Sequence, residues 1–168
     1  MKRLIGTVFG LALMGLGIVL VGFALPATRE GAASRVIAAN PELVRRTILD
    51  VESQPAWRPR VAAVVRRSAD AWTETTVDGE TIAFRRLASA DEDIRLAFES
   101  TRGYSGEWRG RISAASGGGA RLDVVERATT PAPVGRILSR LFFDPAAFAA
   151  AYLDDLAREV ARRQAAGA

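Results

Sequence analysis

Hydrophobic and polar positions divide the chain into three textures. The first is continuous: from Leu4 to Thr28 no side chain carries a charge, and Leu4–Leu25 is almost wholly apolar until Pro26. A helix needs about 20 apolar residues to cross the hydrocarbon core of a bilayer, so residues 1–26 are predicted to form an N-terminal transmembrane helix. A cleaved signal peptide has the same basic start, but its apolar region usually runs about 7–15 residues, shorter than this one. Lys2 and Arg3 precede the span. By the positive-inside rule they place the N-terminus in the cytoplasm and the domain on the extracytoplasmic side, while Arg29 and Arg35 pull the other way.

The second texture begins after a short polar stretch, residues 27–33, which reads as a linker. Residues 34–168 then read as one domain. Ser34–Ala38 is a brief strand, and Asn40-Pro41 supplies a helix cap followed by a proline suited to the first helical position. Leu43, Val44, Thr47 and Ile48 give that helix an apolar face, and Asp50 opens a second short helix that stops at Pro55. From Val61 to Thr130 the period changes to two. Val61–Arg67, Ala71–Val77, Thr81–Leu87, Ile94–Ser100, Gly106–Ala114 and Ala120–Thr129 are predicted strands. Asp78-Gly79, Arg102-Gly103 and Gly117-Gly118-Gly119 mark turns between them. Such short connections imply an antiparallel meander. Ile82 and Phe84 share a face, as do Ile94, Leu96 and Phe98; Trp108, Gly110 and Ile112; and Leu122, Val124 and Glu126. The residues between them are largely charged and read as a solvated face, so one side of the sheet needs a cover.

The third texture provides it. Pro133–Phe143 carries Val134, Ile137, Leu138 and Leu141 at helical spacing. Asp144-Pro145 restarts a longer helix in which Phe148, Tyr152, Leu156 and Val160 recur at intervals of four as far as Gln164. The expected class is α+β.

Composition narrows the chemistry. There is no Cys and no His, which removes disulfides, thiolate and histidine metal sites, haem ligation by His and histidine-based catalysis. Neither a cofactor nor a metal is expected, and no residue is assigned a catalytic role. Setting Lys2 and Arg3 aside, the 23 basic and 19 acidic residues leave a near-neutral remainder without a basic stripe, so nucleic acid is not an expected partner. The oligomeric state is not specified by any pattern in the chain.

The order of elements resembles the helix-grip fold of the START-related SRPBCC superfamily, in which a curved antiparallel sheet wraps around a long C-terminal helix. The stretch Ala39-Asn-Pro-Glu-Leu-Val-Arg-Arg-Thr-Ile-Leu-Asp-Val-Glu-Ser-Gln-Pro-Ala-Trp-Arg-Pro59 resembles the family's first helix and its Tyr-Pro-x-Trp turn. Gly119-Ala-Arg-Leu-Asp-Val-Val-Glu126 resembles its late hairpin strand. Arg45 stands where many members have Trp, and Gln54 where an aromatic is common. Members of this family leave a cavity between sheet and helix for lipids, sterols, polyketides or other apolar molecules, and some are cyclases or hydratases.

The resemblance implies a cavity lined by Ile82, Phe84, Ile94, Leu96, Phe98, Trp108, Ile112, Leu122, Val124, Glu126, Phe148 and Tyr152, of which Phe84, Phe98 and Trp108 read equally as plain core. Trp57 reads as the closing residue of the core and alternatively as a lid. Strict alternation aims Glu126 inward, where burial would raise its pKa. The competing expectation, and the one preferred from sequence, is a wet or arginine-paired carboxylate at the sheet's edge. Three functions remain open. One is a membrane-tethered carrier or sensor of a lipid or other apolar small molecule, with the membrane engaged through residues 4–25. The second is a cyclase or dehydratase using Glu126 or Tyr152, which the absence of His makes less expected. The third is a scaffold with a filled core, whose Leu141-Phe142-Phe143 region would touch membrane or partner.

Overall fold

A computed structural model describes residues 2–167, with side chains from residue 13 onward. Helix α1 (Lys2–Ala24) is followed by β1 (Thr28–Ile37), α2 (Pro41–Leu49), a short 3-10 turn (Val51–Ala56) and six strands. These are β2 (Val61–Arg66), β3 (Ala71–Thr76), β4 (Thr81–Leu87), β5 (Asp93–Ser100), β6 (Ser105–Ala114) and β7 (Ala120–Thr129). Helices α3 (Pro133–Phe142) and α4 (Pro145–Ala165) complete the chain. The strands form one seven-stranded antiparallel sheet in the order β1-β7-β6-β5-β4-β3-β2, so β1 crosses over to pair with the last strand while the others run as a meander. The sheet with its C-terminal helix has the helix-grip arrangement.

Local chemistry starts the helices where the sequence places them. The Asn40 side chain accepts a bond from the Leu43 amide at 2.8 Å, and Asp144 caps α4 by accepting from Ala146 and Ala147. Both caps are followed by a proline whose missing N–H costs nothing in the first turn. Leu43, Val44, Thr47 and Ile48 are the buried face of α2, as their spacing predicts. Thr47, a buried polar residue, donates its hydroxyl to the Leu43 carbonyl.

Two expectations are corrected. The stretch 27–33 is not a linker: β1 begins at Thr28 and pairs with β7 along its whole length, from Thr28↔Thr129 to Ile37↔Ala120. Its small residues hid the strand pattern, and they have a packing role. A Cβ placed on Gly31 would lie 2.5 Å from the backbone of Pro145, so the glycine is what lets the start of α4 close onto β1. The second correction concerns the buried face of α4. Ala149, Leu153, Leu156 and Val160 are the buried apolar set, while Phe148 and Tyr152 flank it, only partly covered. An alanine carries little weight in an apolar pattern, yet it sits where helix and sheet come nearest.

The far end of α4 is fixed by charge. Glu159 is buried and receives both Arg162 (2.7 and 2.8 Å) and Arg163 (2.7 Å), and Arg163 also reaches Asp50 at 2.8 Å and Ser53 at 2.6 Å. A buried carboxylate held by two guanidinium groups ties α4 to the turn after α2.

Among the residues with described side chains, no helix is long and apolar enough to cross a membrane. The predicted span, residues 4–25, falls partly outside that set, since residues 4–12 are not among them.

The two faces of α4 differ in what they support. Leu153→Ala is expected to cost about 2–5 kcal/mol of stability, the range for a fully buried leucine, and Phe148→Ala roughly half as much or less. Denaturant titration of the full chain compares the two; equal losses would contradict the assignment of Leu153 to the closed face.

Candidate functional site

The sheet's register sorts the predicted lining residues into two groups. On the inward face, Ile112 pairs with Leu122, and Ile94 and Val124 both pair with Gly110. These four apolar side chains are buried in the core that α2 and α4 cover. They are structural. Two pairs along, Leu96 and Glu126 both face Trp108, followed by Phe98 and Ala128 at Gly106. Ile82 and Phe84 continue the same face on β4. Helix α4 packs chiefly along β1, with lighter contact to β7, and leaves the concave faces of β3, β4 and β5 without close packing from it. Leu96, Phe98 and Trp108 are nonetheless buried in the same core, and Ile82, Phe84 and Glu126 are the strand residues of the predicted set that stay partly exposed.

Aromatic rings line the second half. Trp72 stacks on Phe84 (centroids 5.4 Å apart, interplanar 8°), Phe84 is tilted against Phe98 at 6.0 Å, and Phe98 meets the edge of Tyr104 at 6.2 Å. On the helix side Tyr152 lies between Trp57 at 6.1 Å and Trp108 at 5.8 Å. Such offset and edge contacts are the favourable geometries for aromatic quadrupoles. The indole of Trp108 can lie flat on the strand because Gly110 is next on its face: a Cβ there would stand 2.4 Å from the ring. Gly106 similarly leaves room for the tip of Phe98. Ile82, Phe84, Tyr104, Glu126, Ala128 and Tyr152 are all only partly buried although they face inward. Phe148 sits at the rim with Phe143 at 5.4 Å and the Arg60 guanidinium over its ring at 5.9 Å.

Polar groups enter this lining from one side. Arg58, in the turn after the 3-10 segment, donates to both oxygens of Glu74 at 3.0 and 3.1 Å and lies over the Tyr152 ring at 5.5 Å. Trp72 Nε1 donates to the same carboxylate at 3.1 Å, and Arg58 also bonds Gln54, whose amide donates to the Ile48 carbonyl. Glu74 is buried and satisfied by this set, so it is a structural ion pair. Trp57 packs on the core with its indole nitrogen buried and without a partner, closer to the structural reading than to an open lid.

Glu126 differs. Among the described residues its carboxyl takes part in no ion pair and accepts no side-chain hydrogen bond, so it is not the arginine-paired group of the sequence expectation, and it keeps partial exposure to solvent. Parity along β7 places it inward, and burial pushes its pKa from the ordinary 4.5 to about 7, with Arg58 pulling more weakly the other way. Burial also raises the Tyr152 and Tyr104 hydroxyls well above the usual range, with Glu80 adding to the rise at Tyr104. At neutral pH the site thus offers a carboxyl poised between donor and anion amid aromatic surface. No group of three acidic residues converges as a metal site among the described residues.

Two open depressions lie elsewhere. One of about 560 Å³ is bordered by Asn40, Arg45, Asp91 and Glu92, and another of about 250 Å³ by Arg45, Arg86 and Asp93. Both adjoin the closed half and are rimmed by charge. Sequence reasoning missed Trp72, Tyr104 and the Arg58–Glu74 pair. Alternation on β3 places Trp72 and Glu74 on one face, which was the available signal; nothing local links Glu74 to Arg58, sixteen residues away.

No protein-family model matches the sequence, and no curated protein is similar to it. Solved structures do share its fold. A START superfamily protein from Mycobacterium smegmatis superposes with a TM-score of 0.60 at 15% identity, covering 80% of this chain and 95% of that one. The Zhui aromatase/cyclase from Streptomyces sp. R1128 gives 0.66 at 14% identity, covering 81% and 95%. Norcoclaurine synthase from Thalictrum flavum, in complex with dopamine and hydroxybenzaldehyde, gives 0.62 at 12% identity, covering 85% and 91%. Identities this low establish the fold and nothing finer.

Glu126 carries a measurable signature. Its folded-state pKa lies above the unfolded one, so its neutral form favours folding below about pH 4.5, and that contribution is lost as pH rises to about 7. Glu126→Gln removes the window. The variant is expected to match the wild type near pH 4.5 and to exceed it in stability above pH 7, by roughly 3 kcal/mol for a shift of this size. Denaturation midpoints at the two pH values test this, and parallel behaviour of the two proteins would mean that the carboxyl is solvated.

Proposed function

We propose that this chain is a membrane-tethered domain that holds an apolar or amphipathic small molecule, of lipid-like character, against the aromatic half of its sheet. The observation that carries the reading is the set of partly exposed rings Phe84, Tyr104 and Tyr152, backed by the buried Phe98 and Trp108, around the unpaired carboxyl of Glu126. Binding sites for such molecules combine apolar lining with a few polar groups that fix orientation. Here the rings supply the first and Glu126 the second. Flanking residues Tyr152 and Phe148 lie beside the closed face of α4, so a ligand enters by displacing rings rather than by filling a preformed void. The tether rests on the uncharged segment Leu4–Leu25, and the basic residues before it favour an extracytoplasmic domain. The fold's occurrence in an aromatase/cyclase and in a synthase solved with two small aromatic molecules supports the ligand class.

A second reading is favoured by one specific feature. A carboxyl whose pKa lies near neutrality is matched to general acid–base work, and Glu126 would be that group in a cyclase- or dehydratase-type reaction. No second ionisable group hydrogen-bonds to it among the described residues, which leaves binding as the better supported function.

Native mass spectrometry of the full chain released from detergent, followed by organic extraction, separates these readings. A one-to-one apolar adduct is expected, with occupancy reduced on the order of tenfold in Phe84→Ala, equivalent to about 1.4 kcal/mol of lost contact. A bare mass, together with failure to take up a fluorescent fatty acid, would sink the proposal and leave a filled-core scaffold. Conversion of the bound molecule that Glu126→Gln stops without releasing it would establish the enzymatic reading.

A further inference from the structure

Helix α3 contributes nothing to the core. None of its residues is buried, yet Val134, Leu138, Leu141 and Phe142 are 45%, 48%, 68% and 81% exposed. Their spacing puts all four on a single stripe of the helix. An exposed stripe of this kind marks a surface that something covers. The sequence Pro133–Phe142 contains two arginines and no acidic residue, the composition of a basic amphipathic helix.

The position of α3 says what covers it. Helix α3 packs against α1, and it does so at the end of that helix. A Cβ on Gly22 would lie 2.4 Å from the Pro133 carbonyl oxygen, so the two backbones meet there. Arg136 extends one guanidinium nitrogen to the carbonyls of Leu25 (3.2 Å), Gly22 and Phe23 (both 3.5 Å), the terminal acceptors that α1 leaves unsatisfied. The same side chain holds the Thr130 carbonyl at 3.1 Å and the Pro131 carbonyl at 2.9 Å, which fixes the entry to α3. At the other end of α3, Arg29 donates to the carbonyls of Ser139 (2.5 Å) and Phe143 (2.8 Å). Arg136 and Arg29 are thus each occupied by a helix C-terminus, where a positive charge is favourable to the helix dipole. Helix α1, against which α3 packs, also exposes apolar side chains, among them Leu16, Leu20 and Phe23.

We infer that α3 is an interfacial helix: it lies in the headgroup boundary of the bilayer that α1 enters and seats the domain on the membrane through Val134, Leu138, Leu141 and Phe142. This rests on the tether proposed above. An amphipathic helix buries its apolar face shallowly at the acyl boundary, and α3 stands at the end of the apolar segment, the depth at which that boundary falls.

The chain has no cysteine, so single introduced ones report without background. Bimane is attached at L138C and F142C in the full chain, reconstituted in vesicles of phosphatidylcholine and phosphatidylglycerol. L16C on α1 and R158C on the exposed side of α4 serve as references. Lipids carrying a nitroxide near the headgroup are expected to quench the labels at 138 and 142 on the order of twofold more than the label at 158, with iodide excluded from both. A nitroxide at the acyl-chain end is expected to quench the label at 16. Free access of iodide to 138 and 142, with the label at 16 quenched, overturns the inference and leaves the tether standing. No lipid quenching at 16 overturns both. Protection of 138 and 142 from iodide without lipid quenching assigns the stripe to a protein contact, such as a second copy, and also overturns it.

Discussion

The approach of α4 to β1 is the constraint on which the rest of the domain depends. Strands β2–β7 form a meander that would close on itself without reference to the N-terminus. Pairing β1 with β7 brings the start of the chain beside its last strand, and Gly31 then admits the backbone of Pro145 where any side chain would hold the helix away. Helix α4 is therefore seated over one edge of the sheet rather than its centre. Ala149, Leu153, Leu156 and Val160 are buried because of that seat. Phe84 on β4 remains only partly covered, whereas Trp72 and Phe98 beside it are buried. The closed core and the candidate site are two outcomes of one close contact.

That contact also explains which features were legible in the sequence. Strands β2–β7 were read to within a residue or so, because alternation is strict wherever one face is buried and the other wet. Only the second half of β1 was read, as the brief strand Ser34–Ala38, since Gly31, Ala32 and Ala33 are small and leave no alternating signal. The parity of Glu126 was legible, whereas its state was not: whether an inward carboxyl is paired depends on how near Arg58 comes, and Arg58 is already committed to Glu74. The lining set was read as one cavity because alternation gives a face and no depth. Register supplied the depth, separating Ile94, Ile112, Leu122 and Val124 from Phe84, Phe98, Trp108 and Glu126.

The distribution of paired and unpaired charge gives the site its character. Arginines on the outer face meet acids across the strands, as in Arg95–Glu107 and Arg127–Glu30, where solvent makes each pair worth little. The buried acids Glu74 and Glu159 are each held by an arginine and further donors, as desolvation requires. Glu126 is the departure from this rule. A largely buried carboxyl without a cation keeps its proton more readily, and its burial among rings rather than guanidinium groups is what moves its titration toward neutrality. An arginine in hydrogen-bond contact would have held this carboxyl ionised.

The absence of a linker changes what a tether would mean. Only a few residues separate Ala24 at the end of α1 from Thr28 at the start of β1, and the Thr130 amide donates to the Ala27 carbonyl at 2.9 Å across the junction. Arg136 and Arg29 add side-chain bonds from α3 and β1 at the same place. A flexible linker would let the domain sample many heights and angles above a bilayer. Here the last turn of α1, the paired β1 and β7, and α3 share hydrogen bonds, so the orientation of the sheet follows from that of the apolar helix. Phe143, at the end of α3, touches Phe148 at the rim of the aromatic half. Helix α3 thus links the end of α1 to the aromatic rim of the sheet.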